Sequence, residues 1–219
     1  MDISQFKKVP LLGILRGVEI DILEPLTESI ASSGLKVIEI TMNTLSAAEA
    51  IRKMSKQAGS RLIVGSGTVL TMTDLKLAID SGARFIVSPV YIPEAVEHCV
   101  KNKIPVFPGA LTPQEIYTAW KAGATMVKVF PVRFFGPGYL KEIKAPLQDI
   151  ELLACGGVTP ENIRSYFANG ASMAAFGASV FKKELLLKKD FKRIEESIKA
   201  LITELSREDA HGKSFLKSA

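Results

Sequence analysis

Eight short apolar runs alternate with amphipathic segments from end to end, and this alternation limits the possible fold more than any other feature of the chain. The runs are Leu11–Arg16, Val37–Thr41, Leu62–Gly67, Phe85–Pro89, Ile104–Pro108, Met126–Phe130, Glu151–Cys155 and Met173–Gly177. Helical patterns lie between them at roughly 21–33, 45–58, 72–81, 93–102, 112–122, 137–144, 160–169 and 184–205. Thr112-Pro113-Gln114-Glu115 and Thr159-Pro160-Glu161 put a cap residue before proline at the first helical position, a strong start signal. Strands separated by helices are joined by crossovers and therefore run parallel. Eight such units predict a single (β/α)8 TIM barrel, with a short helix ahead of the first strand. An open doubly wound sheet is the alternative. Its G-x-G-x-x-G mark does not follow the first run, and Gly65-Ser66-Gly67 lacks the last glycine.

A repeat sharpens the barrel reading. Ser33-Gly34, Ser81-Gly82, Ala122-Gly123 and Asn169-Gly170 each close a helical pattern, and the glycines stand 48, 41 and 47 residues apart, about two β/α units. Each suits a left-handed cap leading into the next strand. Five residues beyond these glycines stand Glu39, Val87, Lys128 and Ala175, on the second, fourth, sixth and eighth strands. Alternate strands supply the side chains of one interior layer in such barrels. The four residues are thus expected in one layer, with Glu39 and Lys128 facing each other and Val87 and Ala175 leaving space between them.

The 219 residues fit one domain, 1–219, with 206–219 expected as a loosely ordered tail. The formal charge is +5, and residues 182–219 contribute +3 of it in alternating signs, the pattern of a solvated helical face. No basic stripe with interleaved aromatics is present, which argues against nucleic acid as a partner. The two cysteines, Cys99 and Cys155, cannot make a disulfide framework in a chain this long. The first residues lack the basic and apolar regions of a signal peptide, and no apolar run approaches a membrane span, so a cytoplasmic location without membrane contact is expected. Only His98 and His211 are available for histidine chemistry, and His98 beside Cys99 on a helix does not face it, which argues against a zinc site.

Lys128 lies in Met126-Val127-Lys128-Val129-Phe130, where a period of two puts Met126, Lys128 and Phe130 on one face. Lysine is rarely buried unless paired, so two readings stand. One is a structural Lys–Glu pair with Glu39. The other is an amine made nucleophilic toward ketones by desolvation and a nearby cation, for which Arg16 is the candidate. Arg16 is equally suited to holding a carboxylate in a bidentate pair. Glu39, in an apolar cavity, would have a raised pKa fit for proton transfer. Gly156-Gly157 and Gly177-Ala178-Ser179 follow the seventh and eighth runs, where barrels commonly bind phosphate through bare backbone N–H groups, with Ser179 as a further donor. Tight turns would use the same glycines. Thr68, after Gly65-Ser66-Gly67, could reach a carboxylate. Phe134, Phe135 and Tyr139 suit either a lid or the packing of the next helix.

Taken in order, Ile14-Leu15-Arg16-Gly17, Ile38-Glu39-Ile40-Thr41, Gly65-Ser66-Gly67-Thr68-Val69, Ser88-Pro89, Pro108-Gly109, Lys128-Val129-Phe130-Pro131, Gly156-Gly157-Val158-Thr159-Pro160-Glu161-Asn162 and Gly177-Ala178-Ser179 resemble the 2-keto-3-deoxy-6-phosphogluconate (KDPG) / 4-hydroxy-2-oxoglutarate (KHG) aldolase family. The resemblance runs from about residue 8 to 200. It implies a homotrimer of (β/α)8 barrels that needs no metal or organic cofactor. It implies that Lys128 forms an imine with pyruvate and that Glu39 is the general acid/base. Thr68, Pro89 and Phe130 would shape the pyruvate pocket, while Gly156, Gly157 and Ser179 match the phosphate site. The implied reaction is reversible cleavage of the phosphorylated 2-keto-3-deoxy sugar acid to pyruvate and glyceraldehyde 3-phosphate, with 4-hydroxy-2-oxoglutarate as a further substrate. Two departures bear on the sugar epimer. Asn43 stands where gluconate-type members carry Arg, so Arg16 takes the carboxylate; with Phe135-Gly136-Pro137 this is more like the phosphogalactonate (KDPGal) branch. Cys155 stands where gluconate-type enzymes typically have Thr and galactonate-type Val, and matches neither. A phosphate-binding isomerase or epimerase, and a non-catalytic sugar-phosphate sensor, are the rival functions.

Overall fold

The computed structural model describes residues 4–208 and 214–216. Nine strand segments alternate with helices: β1 Leu11–Leu15, β2 Val37–Thr41, β3 Ile63–Gly67, β4 Ile86–Val87, β5 Val106–Phe107, β6 Gly109–Ala110, β7 Val127–Val129, β8 Leu152–Cys155 and β9 Met173–Phe176. The helices are α1 Ser4–Lys7, α2 Leu23–Ser32, α3 Ala47–Ala58, α4 Met72–Asp80, α5 Pro93–Lys101, α6 Pro113–Lys121, α7 Gly138–Lys144, α8 Ile163–Ala168, α9 Lys183–Leu187 and α10 Phe191–Ser206. Every strand pairing is parallel. The order is β5-β4-β3-β2-β1-β9-β8-β7-β6, and its two ends, β5 and β6, are adjacent in the chain across Pro108. The sheet thus closes on itself at one residue, giving a barrel of eight staves. The fifth expected strand differs from its sequence reading: proline has no N–H to give the ladder, so the stave is interrupted at Pro108 and resumes at Gly109.

Two apolar layers hold the barrel. The larger lies between the staves and the helices, where outward residues such as Ile38, Ile40, Val127 and Val129 meet Ile51, Leu140 and Ile163. The smaller fills the interior, from Val37, Phe85, Met126 and Met173 up to Val87, Cys155 and Ala175. Phe6, carried by α1, closes its lower end, with its ring edge-on to Phe85 at 5.5 Å and to Phe107 at 5.2 Å. Gly65 makes room for this cluster, because a Cβ there would lie 2.4 Å from the Phe85 ring.

Gly34, Gly82, Gly123 and Gly170 have φ of +91°, +95°, +95° and +100°, the left-handed caps the repeat predicts. At the start of α6 the Thr112 hydroxyl accepts from the Glu115 N–H and the Glu115 carboxylate accepts from the Thr112 N–H, a reciprocal cap. Two helix expectations shift. The helix expected from 160 begins at Ile163, since Asn162 holds a preceding turn by accepting from the Thr159 N–H at 2.9 Å and donating to the Gly157 carbonyl at 2.8 Å. The pattern at 184–205 divides into α9 and α10, because Lys189 turns to φ +55° and Asp190 caps a new helix through the Arg193 N–H. Beyond α10, the Ser214 hydroxyl donates to the Leu205 carbonyl at 3.1 Å and Phe215 lies 5.5 Å from Phe167. His211 and the rest of the expected tail at 209–213 and 217–219 lie outside the described residues. Among the described residues, no helix is long and apolar enough to cross a membrane, and no cluster of metal-ligating side chains occurs.

Candidate active site

The alternation of β7 turns Met126 and Lys128 into the barrel, while Phe130 reaches the mouth, 39% exposed. Lys128 is flanked by Gly109 of β6 and Leu153 of β8, and its backbone N–H donates to the Pro108 carbonyl at 2.9 Å. The side chain is 6% exposed, and the amine stands 5.3 Å from the centre of the Phe130 ring. On β2, Glu39 sits between Ile14 of β1 and Gly65 of β3 and is 1% exposed. Neither carboxyl oxygen of Glu39 has a hydrogen-bond partner. Burial pushes this carboxyl above the ordinary carboxylate range, while the positive charges of Lys128 and Arg16 pull it back. A closed Lys–Glu ion pair, the structural alternative, is therefore not formed. An unpartnered buried carboxyl costs roughly 1–3 kcal/mol, which makes it a marker of chemistry more than of stability.

A cleft of about 830 Å³ opens at the mouth, and its walls include Arg16, Phe130, Cys155, Gly156, Gly157 and Ser179. Six of the residues singled out in the sequence thus meet on one cavity. Lys128 and Glu39 are not part of its wall; the cleft approaches them through Phe130 and Cys155. The Cys155 thiol is 3% exposed, and burial raises its pKa against the pull of the Lys128 charge, so it is a small core group without thiolate character. Gly156 and Gly157 have φ of +105° and +77°. The Ser179 hydroxyl donates to the Val158 carbonyl at 3.0 Å, tying the loops after β8 and β9 together.

Thr68, at φ +53°, approaches Arg16 at 3.5 Å, the outer limit of a hydrogen bond. Asn43 is exposed, Pro89 is partly exposed, and neither they nor Thr68 lines the cleft. Pro89 instead packs its carbonyl against Gly109, where a Cβ would come within 2.1 Å. Phe134 and Phe135 are exposed and off the cleft; Phe135 packs on Tyr139 of α7, with the rings 5.0 Å apart, and Tyr139 is partly buried against the core.

The match to known proteins is decided by the family model for KDPG and KHG aldolase, which covers residues 3–197. The chain belongs to the KDPG and KHG aldolase family. It is 34% identical to the 2-dehydro-3-deoxy-6-phosphogalactonate aldolase of Escherichia coli (strain K12), over 80% of this chain and 86% of that one. It is 32% identical to the 2-dehydro-3-deoxy-phosphogluconate aldolase of Haemophilus influenzae, over 91% and 94%. A solved structure described as native KDPGal superposes with a TM-score of 0.84 at 31% identity, over 90% of this chain and 94% of that one.

Three features of the cleft and its surroundings are not evident in the sequence. Arg133 lines the cleft, and its Cβ lies 2.8 Å from where a Cβ on Gly157 would stand. Its position just beyond Lys128-Val129-Phe130-Pro131 is the available signal. The turn after Arg16 is held from β2: the Gly17 N–H donates to the Thr44 hydroxyl at 2.9 Å, which lies 3.1 Å from that of Thr41. Hydroxyl residues at the end of an apolar strand are a weak sign of such an anchor. The third is Gly67, whose missing side chain faces the Glu39 carboxyl.

Proposed function

We propose that this chain is a class I aldolase that reversibly cleaves a 6-phosphorylated 2-keto-3-deoxy sugar acid, of galactonate or gluconate configuration, to pyruvate and glyceraldehyde 3-phosphate. The observation that carries the reading is a buried, unpartnered Glu39 carboxyl inside the barrel beside a buried Lys128 amine. In this reading the uncharged Lys128 amine attacks C2 of the keto acid, and the resulting carbinolamine loses water to give a protonated imine. The C4 hydroxyl then gives up its proton, the C3–C4 bond breaks, and its electron pair passes into the imine as an enamine. Glyceraldehyde 3-phosphate leaves. Protonation at C3 and hydrolysis return the amine and pyruvate.

Glu39 carries the protons at both stages, and a carboxyl whose pKa is raised by burial suits that two-way role near neutral pH. Arg16, which lines the cleft and approaches Thr68 behind it, is the partner for the substrate carboxylate. The backbone of Gly156 and Gly157 with Ser179 is the phosphate end, where the glycines allow close approach. Phe130, between the cleft and the Lys128 amine, bounds the pyruvate, and Cys155 on the cleft wall is the position through which the epimer is chosen, while Pro89 and Asn43 lie off the cleft. Relatives named for each epimer support the substrate class. Others named KHG/KDPG aldolase, 28% identical, support 4-hydroxy-2-oxoglutarate as a second substrate, cleaved to pyruvate and glyoxylate. A homotrimer is part of the same reading, supported by a designed cage of fused symmetric oligomeric domains that superposes at a TM-score of 0.84. Light scattering at three times 23.8 kDa is its check.

The test is to treat the protein with pyruvate and borohydride and map the adduct by mass spectrometry. A single reduced pyruvate adduct on Lys128 is expected, together with turnover of at least one phosphorylated epimer. An isomerase or epimerase would turn over without trapping pyruvate, and a sensor would bind without turnover; either result overturns the proposal.

A further inference from the structure

The barrel interior beside Glu39 contains a feature with no role in the proposed reaction. Gly67 ends β3, one stave from Glu39, and its neighbour across the ladder is Thr41. A Cβ built on Gly67 would lie 2.2 Å from Glu39 Oε1, 2.5 Å from Cδ and 3.0 Å from Oε2. Its three nearest neighbours are thus all atoms of one carboxyl group. Gly67 does not adopt a left-handed φ, unlike the nine glycines that do, so backbone conformation does not demand glycine here. The Gly67 carbonyl accepts from the Met42 N–H at 2.8 Å, a bond that alanine would keep.

We infer that Gly67 is a positioning residue: the hydrogen in place of its side chain makes the slot in which the Glu39 carboxyl rests. The inference rests on the reading of Glu39 as the proton carrier. No protein hydrogen bond fixes either carboxyl oxygen, so its place depends on the pull of the Lys128 and Arg16 charges and on the shape of the cavity around it. Among the glycines, Gly67 is the one at which an added Cβ would meet this carboxyl. A methyl group in that slot drives the carboxyl out, and a flexible side chain can yield without dragging the strand with it. Proton transfer depends on placement to within a fraction of an ångström, so rate is lost while the fold is kept.

The test is a size exchange. Gly67→Ala is expected to lower turnover by about 100-fold or more, the scale of a misplaced general acid/base, with thermal unfolding close to that of the parent. Borohydride trapping of pyruvate on Lys128 should persist at a reduced rate. Glu39→Asp withdraws the carboxyl by one methylene and leaves room for the new methyl. The double variant Gly67→Ala/Glu39→Asp should therefore exceed, by about tenfold, the activity obtained by multiplying the two single effects. If the double variant shows only the product of the two losses, or if Gly67→Ala turns over like the parent, the slot has no positioning role. If Gly67→Ala fails to fold, Gly67→Ala/Glu39→Ala must restore folding, because it removes the only group the inference blames; failure to do so overturns it. Loss of the pyruvate adduct in the unmodified protein would instead overturn the aldolase reading, and so the two failures are separable.

Discussion

The two ends of the barrel interior are built on opposite terms. At the lower end Phe6 meets Phe85 and Phe107 edge to face, with Val37, Met126 and Met173 around them, and the space is filled with apolar side chains. At the upper end, two residues further along the same staves, stand Glu39 and Lys128, a carboxyl without hydrogen bonds and an amine over an aromatic ring. Glycine serves both ends differently. Gly65 admits the Phe85 ring below, whereas Gly67 admits the Glu39 carboxyl above. Strands of one register therefore supply a packed floor and a reactive ceiling, and the floor stabilises what the ceiling destabilises.

Substitutions at the two ends should separate rate from stability. Lys128→Ala removes the imine-forming amine, and turnover should fall by about 10⁴-fold or more while the melting temperature stays near that of the parent; steady-state kinetics beside calorimetry reads both. Glu39→Gln should lower turnover by about 10²–10⁴-fold. The same change should alter the pH dependence of stability. Glu39 has a folded-state pKa above its unfolded one, so its contribution is fully present below the unfolded pKa and is lost as pH rises through the folded value. The parent should lose stability over that interval, and Glu39→Gln should lack that slope in denaturant melts at a series of pH values. Phe6→Ala, at the floor, should cost about 3–5 kcal/mol in unfolding free energy yet change kcat less than threefold below the melting range. A loss of rate there as large as that of Glu39→Gln would show that the ends are not separable.

Much of this contrast can be read from the sequence, for identifiable reasons. The eight staves follow from apolar periodicity, and counting five residues past each cap glycine picks out Glu39 and Lys128, both buried, with the Lys128 charge acting on the Glu39 carboxyl. The residues around the mouth follow from their ordered motifs. What stays hidden depends on contacts across staves. Pro108 gives no hint that the barrel seam falls on it, since closure is a property of the whole ring. Phe6 reads as one apolar residue in a short helix, and nothing local says that it enters the barrel. Gly67 reads as part of a turn serving Thr68, because the absence of a side chain acquires meaning only once the facing carboxyl is placed. The division between α9 and α10 is likewise hidden, as helical periodicity continues through Lys189 and Asp190.

The Phe6 plug has a consequence for the traffic of small molecules. At its base the barrel is plugged by three phenyl rings, a blind alley at that end. Whatever is tethered deepest must wait for the shallower fragment to depart. In the proposed cleavage the imine keeps pyruvate on Lys128 until the phosphorylated aldehyde has gone, and the aromatic plug denies either fragment a way out past Phe6.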